Sequence, residues 1–152
     1  SWERFLLDKL PDYSNVKFQF KSESGGLGYV APFQRKGNRL KHRGIEFSGI
    51  PTPEIWVHEI WHYFTIPSLI TFAENPENCD KNAAEYTKKL SSIYQKAKSL
   101  GYSSINGISI HENLNEFAVN ITNQNSVKNL KKLGLFDDYY QCQMKYLDYL
   151  KS

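Results

Sequence analysis

Cysteine is scarce in this chain: Cys79 and Cys142 are its only two, too few and too far apart to form a zinc knuckle by themselves. They can form one disulfide or stay as two free thiols, and the sequence favours neither. No apolar run approaches the ~20 residues that cross a bilayer, and no N-terminal stretch has the charged, apolar and small-residue order of a signal peptide, so no membrane span is expected. An excess of one charge is also missing. The 19 basic and 16 acidic residues are spread along the chain and leave a formal net charge of +3, far from the footprint of a nucleic-acid binder, so no nucleic-acid partner is expected. Methionine occurs once, at Met144, and the chain opens on Ser1. We therefore expect a fragment or processed form of a longer protein, whose localisation the sequence leaves open. Repeats and low-complexity tracts are absent.

What is present is a core. With 40% hydrophobic and 14% aromatic residues, 152 residues are enough for one sizeable core and too few for two, so a single domain over 1–152, acting as a monomer, is expected. Trp2, Phe5, Leu6 and Leu10 have helical spacing, and Pro11 marks a stop. Val16, Phe18 and Phe20 alternate with Lys17, Gln19 and Lys21, the period of a strand with one buried face. A loop at Gly25 and Gly26 leads to a second strand near Tyr29 to Phe33, with Pro32 suggesting an edge or bulge. The turn Arg35-Lys36-Gly37-Asn38 leads to a third strand ending Ile45 to Ser48.

From residue 52 the pattern is helical. Thr52 suits an N-cap and Pro53 the first helical position, and the apolar run from Ile55 to Phe64 is expected to end at Pro67. A helix is expected over about 81–100, stopped by Gly101, and another from Ser109, where Ser109-Ile110-His111-Glu112 has the order of a capping box. Two further helices are expected near 126–133 and 137–151, separated by Gly134.

The chemistry sits in Val57-His58-Glu59-Ile60-Trp61-His62. Histidines four apart lie on one helix face and can bind one metal together. Glu59, next to the first histidine, is placed to take a proton beside that metal. The bland alternative is a pair of structural histidines bonded to backbone or carboxylates. Against it stands the flanking sequence: from 55 to 64 nothing else is charged or strongly polar, and burying three ionisable groups together is costly without compensation.

At these residues the chain resembles the zincin superfamily of metallopeptidases. The resemblance implies an α+β fold in which a small, twisted, mainly antiparallel sheet packs on the motif helix, followed by a helical C-terminal half. It implies a Zn2+ cofactor and a peptide or protein substrate held in extended form along an edge strand, here Gly44 to Ser48. It also implies a third ligand, because a catalytic zinc keeps three protein ligands and one open position. The metzincin continuation is absent after His62. Asn115-Glu116-Phe117-Ala118-Val119-Asn120 resembles the gluzincin helix, with Asn120 where that group has aspartate, which makes Glu116 the expected ligand ahead of Glu112 and His111. Glu59 would be the general base, and Tyr102 and His111 are the candidate oxyanion donors. The function implied is zinc-dependent endopeptidase action, in a secreted or delivered effector or toxin. The alternative is a catalytically inactive binding or interaction domain.

Overall fold

The structure, a computed structural model, describes residues 1–21, 44–102 and 113–152 in full, together with the backbone of strands at 28–30, 33–36 and 39–42. Ser1 accepts the Arg4 N–H and starts α1 (Trp2–Lys9), and Leu10 leaves that helix extended ahead of Pro11, as residues before proline do. The strands are β1 (Phe18–Lys21), β2 (Gly28–Val30), β3 (Phe33–Lys36), β4 (Arg39–His42) and β5 (Ile45–Ser48). The loop around Gly25 and Gly26, the expected edge residue Pro32 and the turn centre Gly37-Asn38 lie outside the described residues.

This arrangement corrects the expected zincin-like α+β fold with a mainly antiparallel sheet. Helices dominate the described residues, and each strand has three or four residues. The three-stranded sheet has the order β1-β5-β2, in which β1 and β5 run parallel and β2 is antiparallel to β5. The β3–β4 hairpin forms a separate two-stranded sheet. Gly44 is the physical reason. At φ +143 it breaks what reads as one long third strand into β4 and β5, and a Cβ there would sit 2.5 Å from the Lys17 carbonyl oxygen. Close approach at that point lets Ile45 donate to the Lys17 carbonyl at 2.9 Å and slots β5 between β1 and β2. Aromatic stacking holds the parallel pair: Phe20 lies opposite Phe47, and Trp56 covers Phe18 and Phe47 with ring centroids at 4.7 and 5.4 Å.

A second correction follows. Gly44 to Ser48 was expected to be an edge strand that aligns a peptide, but β5 is central, with β1 on one side and β2 on the other. No extended peptide can pair with it.

Thr52 accepts the Ile55 N–H and starts α2 (Pro53–Glu74), which continues through Pro67 instead of ending there. An internal proline costs roughly 3 kcal/mol. The turns beyond it offset that cost by burying Ser68 and Leu69, while Thr65 returns its hydroxyl to the Trp61 carbonyl at 2.9 Å. Asp80 caps α3 (Lys81–Ser99), and Gly101 at φ +88 reverses the chain so that Tyr102 donates to the Ala97 carbonyl. The next helix, α4 (Leu114–Val119), is capped by Asn113. The capping box expected at Ser109 to Glu112 lies outside the described residues. A 3-10 turn at Asn120–Thr122 leads to α5 (Gln124–Lys132) and α6 (Phe136–Lys151).

The core gathers Trp61 and Ile60 of α2, Phe117 of α4, Tyr139 and Leu147 of α6, and Phe47 of the sheet. Cys79 and Cys142 are free thiols. Among the described residues no helix is long and apolar enough to cross a membrane.

Candidate metal centre

Starting α2 at Pro53 fixes the phase of everything after it. His58 and His62 fall one turn apart, their ring centroids 4.8 Å from each other and nearly perpendicular. His62 is buried, and the His58 side chain keeps about a third of its surface, 31%. The short helix α4 packs on α2. Its cap Asn113 accepts the Glu116 N–H at 2.9 Å and sets the first turn. The Glu116 side chain reaches across the interface, with Oε1 at 3.1 Å from His62 Nε2 and Oε2 at 3.8 Å from His58 Nε2.

One ligand atom from each of His58, His62 and Glu116 lies within 4.8 Å of the others. Tetrahedral zinc with bonds of about 2.05 Å sets its ligands about 3.3 Å apart. The two carboxylate contacts, 3.1 Å to Oε1 and 3.8 Å to Oε2, lie near that value, and the full donor set, spread over up to 4.8 Å, would have to draw together to hold an ion.

Glu59 is buried at 6% exposure, with Oε1 3.8 Å from His58 Nε2. Burial, with Glu116 adding and His62 opposing, raises its pKa to about 7. Burial, then the neighbouring His62, lowers the pKa of His58 to about 4 against the pull of Glu116. At neutral pH His58 is therefore neutral, with a lone pair available to a metal, and Glu59 is poised to take up and return a proton. Among the described residues His62 Nδ1, like Trp61 Nε1, is buried without a hydrogen-bond partner, whereas a ligating histidine normally donates from its second nitrogen.

The remaining candidates divide. Tyr102 is buried, packs edge-on against Phe117, and its hydroxyl accepts from Asn120 Nδ2 at 2.7 Å. That bond ties the half-buried Asn120 amide to the buried Tyr102. His111 and Glu112 lie outside the described residues.

Sequence reading missed a buried polar network behind α4, in which Tyr139 of α6 donates to the Phe117 carbonyl, Gln143 of α6 donates to the Ala118 carbonyl and Tyr86 of α3 donates to Gln143. A signal for it exists, because Gln143 interrupts the buried stripe Tyr139, Cys142, Tyr146 and Leu147. Compared with known proteins, the chain matches no family model, no curated protein and no solved structure.

Proposed function

We propose that this chain is a zinc-dependent endopeptidase in which His58, His62 and Glu116 hold the ion and Glu59 is the general base. The observation that carries the reading is the convergence of one imidazole nitrogen each from His58 and His62 and one Glu116 carboxylate oxygen within 4.8 Å, with the buried Glu59 beside them. A zinc ion held there would lower the pKa of a water in its open position and polarise the scissile carbonyl. The chain's own groups do the rest. Glu59 accepts a proton at its carboxylate and returns it to the leaving amine; burial raises its pKa in the metal-free protein, and a bound cation would draw it back down. Low His58 basicity keeps that ring a ligand and not a cation. Tyr102 and His111 both remain candidate oxyanion donors. The proposal rests on this site and not on a zincin sheet.

One observation favours the alternative, a metal-binding interaction domain without catalysis: β5 offers no edge to an extended substrate. A substrate would have to reach the cluster over another surface. The test is elemental analysis of chelator-stripped protein refilled with zinc, followed by incubation with a mixed peptide library. The expected result is about one zinc per chain and cleavage that stops with chelator and returns with zinc. Zinc without cleavage selects the interaction domain, and no zinc overturns the metal reading.

A further inference from the structure

We propose that Gln143 is a positioning residue for Glu116, holding the helix that presents this carboxylate to the histidines; the inference rests on the metal reading of that site. The starting point is the weakness of α4. It has six residues, well below the ~12–15 at which an isolated helix is even marginal, so its place must come from tertiary contacts. Asn113 defines the start, and the far end needs anchors because carbonyls there run out of intrahelical partners.

Those anchors are side chains from other helices. Tyr139 of α6 donates to the Phe117 carbonyl at 2.5 Å and lies 3.2 Å from the Ala118 carbonyl. Gln143, one turn along α6 and 1% exposed, donates its Nε2 to the Ala118 carbonyl at 2.5 Å. Its Oε1 accepts the Tyr86 hydroxyl from α3 at 2.6 Å, so both ends of the amide are paired, and the Ala118 carbonyl, which can only accept, fixes which end faces α4. Tyr86 is itself held by stacking on Tyr146, with ring centroids 4.2 Å apart.

Burying an amide in an otherwise apolar stripe costs free energy unless each of its groups is paired. A leucine would fill the same stripe without that demand. What the amide adds is direction: it sets the height and rotation of α4 through a backbone carbonyl two residues beyond Glu116. Placement of a reacting or ligating group within about 1 Å matters steeply. Gln143 acts on Glu116 through the backbone, so it is a positioning residue and not a ligand.

The test compares Gln143→Leu and the milder Tyr86→Phe, which removes only the hydroxyl paired with the amide oxygen, with Leu147→Ala. The last variant removes buried bulk one turn further along α6 but no hydrogen-bonding atom of the network. Three quantities are measured: zinc affinity by chelator competition, the absorption spectrum of the cobalt-substituted protein, and amide hydrogen exchange of residues 117–122 relative to α2 in metal-free protein. Gln143→Leu is expected to weaken zinc about 10- to 100-fold, as loss of an outer-shell support does, to alter the cobalt spectrum, and to speed exchange at 117–122 out of step with α2. Tyr86→Phe should do the same more weakly, and it decides the matter if Gln143→Leu does not fold. Leu147→Ala should leave the affinity, the spectrum and the exchange ratio near those of wild type. Unchanged ratios in both network variants, or equal changes in Leu147→Ala, overturn the proposal. If wild type takes up no zinc, the metal reading fails by itself and the exchange ratio alone decides whether Gln143 holds α4.

Discussion

The two histidines and the glutamate of the cluster reach the same place by different physics. His58 and His62 inherit their geometry from one 22-residue helix, whose cap and period set their spacing before any tertiary contact forms. Glu116 sits on a six-residue helix whose position depends on Asn113, Tyr139 and Gln143. The α2 half of the site is local, and the α4 half is assembled. Changes in α2 should therefore alter chemistry without moving the frame, whereas changes behind α4 should move the frame without touching the chemistry.

The largest effect expected tests the first half of that contrast. Glu59→Gln keeps shape and hydrogen-bonding capacity but removes the base, and should lower peptidase activity by ~10²–10⁴ while zinc affinity stays within a few-fold. The measurement is turnover of a peptide that wild type cleaves, beside chelator competition. A variant that still turns over normally removes Glu59 from the mechanism. His62→Ala comes next. Losing one of three protein ligands from a site worth ~10–16 kcal/mol should weaken zinc about a thousandfold. Equal zinc affinity in this variant would place the metal elsewhere or nowhere.

These two residues were legible because everything about them is local. Thr52-Pro53 marks a helix start, and the four-residue spacing then places both imidazoles on one face. Gly101 stops α3 in the same local way. Pro67 was misread because a proline's local cost is visible in sequence and the burial of Leu69 beyond it is not. The sheet failed for a related reason. Alternation in Val16 to Lys21 reports a two-faced strand but carries nothing about the direction or identity of its partner. Glu116 was nameable by resemblance, but the supports that hold its helix come from residues 86, 139 and 143, far away in sequence.

Gly44 separates the sheet from the site. Gly44→Ala puts a Cβ 2.5 Å from the Lys17 carbonyl oxygen in a backbone conformation that favours glycine. The cost should be ~1–3 kcal/mol, or a fall in Tm of about 3–10 °C. Zinc affinity should change less than threefold, since the histidine geometry belongs to α2. A large loss of affinity with the same fall in Tm would mean that the β1–β5 pair, through Trp56, sets the phase of α2.

The smallest effect expected is a pH dependence that the two α2 neighbours conceal from each other in metal-free protein. Glu59 moves from 4.5 up to about 7 on folding. Its folded form holds the proton more tightly, so its contribution is full below pH 4.5 and is lost as pH rises through 7. His58 moves from 6.5 down to about 4. Its folded form resists protonation, so its contribution is full above pH 6.5 and is lost as pH falls through 4. Between pH 4.5 and 6.5 the slopes oppose, one proton each, and these two groups leave wild-type stability nearly flat. Glu59→Gln removes one slope. The stability of the metal-free variant should therefore rise relative to wild type from pH 4.5 to 6.5. One proton over two pH units is at most about 3 kcal/mol, and partial solvent access at the site reduces it to ~1–2 kcal/mol. Urea midpoints of both proteins at the two pH values, with chelator present, supply the comparison. Parallel profiles would mean that the Glu59 carboxyl titrates as an ordinary surface acid, which would remove burial as the reason it is poised near neutrality.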